Sequence, residues 1–198
     1  ALLAEYSQVL LPTVRKVLCD TEGRVRETAT HCAAKLYEKN SPLVLEQVLP
    51  WLMDQLFSPP VYDVASASDT HEAILHSLEL LIREEPHGIL PSFYGTVLKQ
   101  PYDVMKIRAL GCVASATNPN VVHNSFTRIL PALVDAAAIN QDTQFIKENG
   151  LDVDVATSIF REEIGSTANK LFHRVTSDGA HSLLGQLGTM LQEGRPLI

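Results

Sequence analysis

The 198-residue sequence has no apolar run approaching the ~20 residues of a bilayer-spanning helix, and no stretch at its start reads as a signal peptide. Cysteine is scarce. Cys19, Cys32 and Cys112 are odd in number and lie in helical patterns, so they read as buried thiols of a reducing compartment, not as a disulfide framework. Positive charge is in deficit: the net charge of −7 argues against a dedicated nucleic-acid binder, which needs a basic face. Aromatics make up only 6% of the chain while leucine and alanine are plentiful, as expected where helices pack mainly on helices. Catalytic signatures are missing as well. The stretch from His71 to His76 is one residue too long for a zinc-protease motif, whose histidines sit at i and i+4 on one helical face. Gly165 to Lys170 lacks the spacing and second glycine of a phosphate loop. The adjacent pairs Glu84-Glu85 and Glu162-Glu163 diverge on a helix and read as solvated surface, not as an acid/base couple. These absences exclude the common enzyme classes, and no metal or cofactor is expected.

What is present is helical hairpins. From Val9 to Leu18, apolar residues recur at helical spacing. Asp20-Thr21-Glu22-Gly23 interrupts the pattern, with Gly23 expected to take a left-handed conformation. Arg24 then opens a second helix whose apolar face is Val25, Ala29, Cys32, Ala33, Leu36 and Tyr37. The turn aspartate Asp20 and the pair Val25-Arg26 resemble the HEAT-repeat signature, in which such residues form a ladder between repeats. One hairpin cannot bury its faces alone, so neighbours are implied.

Those neighbours are visible as a period. Leu-Pro recurs at Leu11-Pro12, Leu49-Pro50, Leu90-Pro91 and Leu130-Pro131, with the prolines separated by 38, 41 and 40 residues. HEAT and armadillo units repeat every ~40–47 residues. Each proline falls within a first helix, where it removes a donor and bends the rod. The fold class expected is all-α, a right-handed HEAT-repeat α-solenoid of four to five hairpins, at about 3–39, 42–85, 87–117, 119–160 and 161–194. Ser58 to Ser68 reads as a long loop, with Ser68 or Asp69 capping the next helix. Gln100-Pro101-Tyr102 reads as a turn and Asp103 as a cap. Tyr102 stands where a ladder aspartate would be, before Ile107-Arg108. The segment after Ile139 is polar, with a break at Asn149-Gly150; helices follow over about Val155–Val175 and His181–Gln192.

The candidate site is the basic group Arg15, Lys16, Arg24 and Arg26. Residues 1–40 carry six basic groups against five acidic ones, so the rest of the chain holds the whole acidic excess. Arg26 serves the ladder in one reading; in the other, the group forms a patch for an acidic partner surface. Trp51, the single tryptophan, follows Pro50, which favours core packing. Pro59, Pro60, Val61 and Tyr62 form an apolar loop with no assigned role.

The runs QVLLPTVRKVLCDTEGRVRETATHCAAKLY (8–37), LEQVLPWLMDQLF (45–57) and GILPSFYGTVLKQP (88–101) resemble one family. It is that of the general-control nonderepressible translational activators, ribosome-riding HEAT proteins that activate the kinase of initiation factor two. The resemblance covers about Tyr6 to Ala137. It implies a cytoplasmic segment cut from the C-terminal third of a longer scaffold, and the start at Ala1-Leu2-Leu3 reads the same way. It further implies binding to the kinase's N-terminal RWD domain, with the ribosome engaged by other parts and no direct nucleic-acid or membrane contact. Two alternatives share the architecture: a spacer that only shapes a superhelix, and a transport-receptor or phosphatase-scaffold solenoid.

Overall fold

A computed structural model describes residues 2–58, 64–116, 118–138 and 153–193, and among these every regular element is helical. The first hairpin matches its pattern closely. Helix α1 spans Leu2–Leu18 and α2 spans Gly23–Lys39. The turn between them is not made by a left-handed glycine. The Asp20 carboxylate accepts the Glu22 amide at 2.9 Å, Glu22 takes the N-cap position in extended backbone, and Gly23 is the first helical residue. An aspartate that bonds two residues ahead closes a turn without positive φ.

On α2 the buried stripe is Ala29, Thr30, Ala33 and Ala34. Cys32 is exposed, contrary to expectation, because it sits beside His31 on the outer flank of that stripe. Cys19 is half-buried and Cys112 buried, so only Cys112 matches the buried-thiol reading in full.

Three consecutive segments, Ser41–Leu43, a π-turn at Val44–Val48 and Leu49–Phe57, run together as α3. The π-turn ends where the Leu49 amide donates to the Val44 carbonyl, just before Pro50, which has no amide to continue the ladder. Helix α4 spans Val64–Glu84. It begins before Ser68 and Asp69, so neither residue caps it. Alanine at 65 and 67 favours helix, and the small-residue stretch was not all loop. The Pro59 to Tyr62 segment lies outside the described residues. Helix α5 covers Pro86–Val97.

After a cis Gln100–Pro101 peptide, Asp103 caps α6 (Val104–Gly111) by accepting the Lys106 amide at 2.8 Å. A 3-10 turn, Cys112–Ser115, continues it. Helix α7 is Pro119–Ala138, α8 is Val153–Phe172 and α9 is Ser177–Gln192. Helix α8 runs unbroken through the position where the fourth and fifth hairpins were divided, and Gly165 sits inside it. The polar stretch from Gln141 to Gly150 is outside the described residues.

The helices group into two compact units, Ala1–Thr96 and Val97–Ile198. In the first, α2 packs on α1 and α4, and α3 on α4. Its core is leucine-rich: Leu18, Leu52, Leu56, Ile74, Leu78, Leu81 and Ile82 are all essentially inaccessible. Each such side chain contributes about 1.5–3 kcal/mol by leaving water. Ser77 is the buried polar exception, donating its hydroxyl to the Leu18 carbonyl at the end of α1 at 2.5 Å. In the second unit α6 packs on α8, and α7 on α8 and α9. Arg108 on α6 meets Glu163 on α8 at 2.8 Å, and Thr167 donates to the Ile107 carbonyl. The arginine of the Ile107-Arg108 pair therefore does join one helix to another.

The Leu-Pro pairs share one geometry. Leu11, Leu49, Leu90 and Leu130 are each buried, while Pro12, Pro50 and Pro91 are exposed and Pro131 half-buried. Helices bend away from an outward proline, and water can reach the carbonyl it leaves unpaired. The repeat is thus a buried leucine anchor followed by a proline turned toward the surface.

A candidate protein-interaction groove

An outward-facing depression of the first unit lies beside the turn after α1. It is lined by Pro12, Arg15, Lys16, Cys19, Asp20 and Thr21 from the first hairpin, and by Trp51, Gln55 and Thr70 from the second. Its volume is about 540 Å³, room for a few side chains.

Helical spacing explains who faces it. Arg15 and Lys16 follow Pro12 by three and four positions on α1, Cys19 comes three after Lys16 at the helix end, and Trp51 and Gln55 are four apart on α3. Arg15 spans the two helices: one terminal nitrogen donates to the Gln47 carbonyl at 2.6 Å, and the guanidinium carbon lies 5.9 Å from the Trp51 ring centroid. Such a cation–ring contact contributes about 0.5–1 kcal/mol near the surface and holds the charge in one place. The Arg15 Nε is buried and, among the described residues, has no hydrogen-bond partner. Lys16 is exposed at the rim. The Asp20 carboxylate is engaged in its own turn. Burial pushes the Cys19 thiol up to about 11, which leaves it protonated and a poor nucleophile at neutral pH.

The four cations singled out from the sequence therefore separate. Arg15 and Lys16 line the groove. Arg26 turns inward and donates to the Asp20 and Thr21 carbonyls at 2.6 and 2.8 Å, locking the turn of its own hairpin. Arg24 is exposed and, among the described residues, makes no side-chain hydrogen bond or ion pair. Trp51 is half-buried in the groove wall and not sealed in the core. Sequence reasoning missed Trp51 and Gln55 as groove residues; their spacing by four on a helix holding an exposed proline was the available signal. His71 and His76 lie on α4, with His76 Nδ1 3.7 Å from Glu79. Among the described residues no three histidine, cysteine, aspartate or glutamate side chains converge, and no helix is long and apolar enough to cross a membrane.

No family model matches the chain, and no solved structure matches it. Named relatives do. The eIF-2-alpha kinase activator GCN1 of Saccharomyces cerevisiae is 24% identical over 191 residues, 96% of this chain and 6% of that protein. The stalled ribosome sensor GCN1 of Mus musculus and that of Homo sapiens are each 28% identical over 109 residues, 55% of this chain and 4% of theirs. The chain thus spans a small fraction of the relatives it matches. The yeast alignment also continues past Ala137, where the likeness read from the sequence faded. The resemblance seen in the Leu-Pro helices is borne out across nearly the whole chain, which is similar to a segment of GCN1.

Proposed function

We propose that this chain is a segment of a cytoplasmic, non-enzymatic scaffold that binds the RWD domain of the kinase phosphorylating initiation factor two. In this reading it promotes kinase activation on ribosomes during amino-acid starvation, with the ribosome held by other parts of the parent protein. The observation that carries it is the match along 96% of the chain to a protein named for kinase activation. The geometry supports the partner-binding part, since charged and aromatic side chains from two helices line one outward-facing groove. Of the four basic residues, Lys16 and Arg24 are exposed, Arg15 is half-buried in the groove wall, and Arg26 holds the turn.

The test is calorimetric titration of the chain with the kinase's RWD domain, repeated with Lys16→Glu/Arg24→Glu. Both positions are exposed, so the variant keeps its fold. Saturable binding by the wild type and an affinity about tenfold lower in the variant are expected. A folded wild type that takes up no RWD domain removes this partner.

A further inference from the structure

We propose that the groove between α1 and α3 receives a short acidic segment of a protein partner. One carboxylate side chain meets Arg15 and Lys16, and an adjacent apolar side chain lies against Trp51 and Pro12. This deepens the scaffold reading and rests on it, because it states what the partner presents.

Three observations carry it. First, Arg15 is held in place before any ligand arrives, by the Gln47 carbonyl and by the Trp51 ring. A fixed guanidinium spends little conformational entropy on pairing with a carboxylate, and such pairs are short and strong. Second, the protein satisfies that guanidinium only in part: its Nε is buried and, among the described residues, has no hydrogen-bond partner. A cation with a buried, unpaired donor is under-solvated, and a carboxylate at its outer nitrogens supplies the countercharge it lacks. Third, the charge distribution selects the place. The chain carries −7 overall, yet its first 40 residues hold more basic than acidic groups. An acidic segment is repelled from most of the surface and steered to the first hairpin. The apolar requirement follows from the walls: Pro12 and the face of Trp51 flank the two cations. A purely charged ligand would leave that surface wet. A nucleic-acid strand fits poorly, since its phosphates meet the overall negative charge and the groove carries only two cations beside Asp20.

Trp51 is the only tryptophan, so its emission reports on this groove alone. The full chain is titrated with a capped glycine-flanked Glu-Leu-Glu peptide. Controls are the same peptide with lysine for glutamate, the same with glycine for leucine, and an oligouridylate. A saturable emission change with the first peptide only, reduced by added salt, is expected. Arg15→Gln and the exposed Lys16→Glu each weaken it by about tenfold, with helical circular dichroism unchanged. No saturable change, an equal response to the lysine peptide, or a stronger response to the oligouridylate overturns the proposal. An RWD domain that binds wild-type and Arg15→Gln chains with equal affinity also overturns it, while leaving the scaffold reading intact. Peptide uptake by a chain that ignores the RWD domain supports the groove and removes that partner instead.

Discussion

Arg24 and Arg26 stand two positions apart and do different work. A helix places such neighbours ~200° apart, so one faces solvent while the other faces the turn. Arg26 makes two charge-assisted bonds to the Asp20 and Thr21 carbonyls of the turn that follows α1. Arg26→Gln is therefore expected to destabilise the chain by about 1.5–3 kcal/mol, and Arg24→Gln by less than about 0.5 kcal/mol, as read by urea denaturation. Equal effects would mean that Arg26 does not lock the turn. The sequence pattern offered a structural reading of Arg26, as a ladder residue paired with a turn aspartate such as Asp20, beside the patch reading. It did not show that the acceptors are the turn's own carbonyls. Trp51 was less legible still. Its meeting with Arg15 joins residues 36 positions apart on separate helices, and no local spacing encodes how those helices cross.

The hairpin helices were the most legible elements, since a leucine anchor and a proline bend are local and recur. Boundaries were harder. Helix α4 starts at Val64 because alanines outweigh the serines between them, and the extra turn hides in a stretch that resembles loop. One glycine shows where elements press together. A methyl group on Gly88 of α5 would overlap the Tyr37 ring of α2, so only glycine permits that approach. Gly88→Ala is expected to cost about 1–3 kcal/mol despite alanine's better helix propensity. In a Tyr37→Ala background the same change should be neutral or stabilising, and thermal melts of the four chains give the coupling. Additive effects would show that the ring moves aside freely.

Each compact unit has its own buried core, and in repeat proteins stability is a sum of local terms and nearest-neighbour interfaces. Ser77→Ala, which removes the bond to Leu18, is expected to lower amide-exchange protection within 2–58 and 64–96. Glu163→Gln, which weakens the pair with Arg108, should lower it within 97–116, 118–138 and 153–193. Hydrogen exchange read by mass spectrometry separates the two, and a loss spread evenly over the chain would contradict local control. The π-turn of α3 has a consequence for the whole surface. Val44, Val48, Leu52 and Leu56 are all buried, yet they are spaced by four. In an ordinary α-helix that spacing drifts by ~40° per step, or ~120° over the set, which would swing the last of them out of the core. One wider turn takes back part of the drift, like a wheel allowed to slip by a notch. The same slip lies upstream of Trp51 and Gln55, so it turns both of them together relative to the first turn of α3. The groove wall that Trp51 and Gln55 form is in this sense the outward shadow of a correction made for the core.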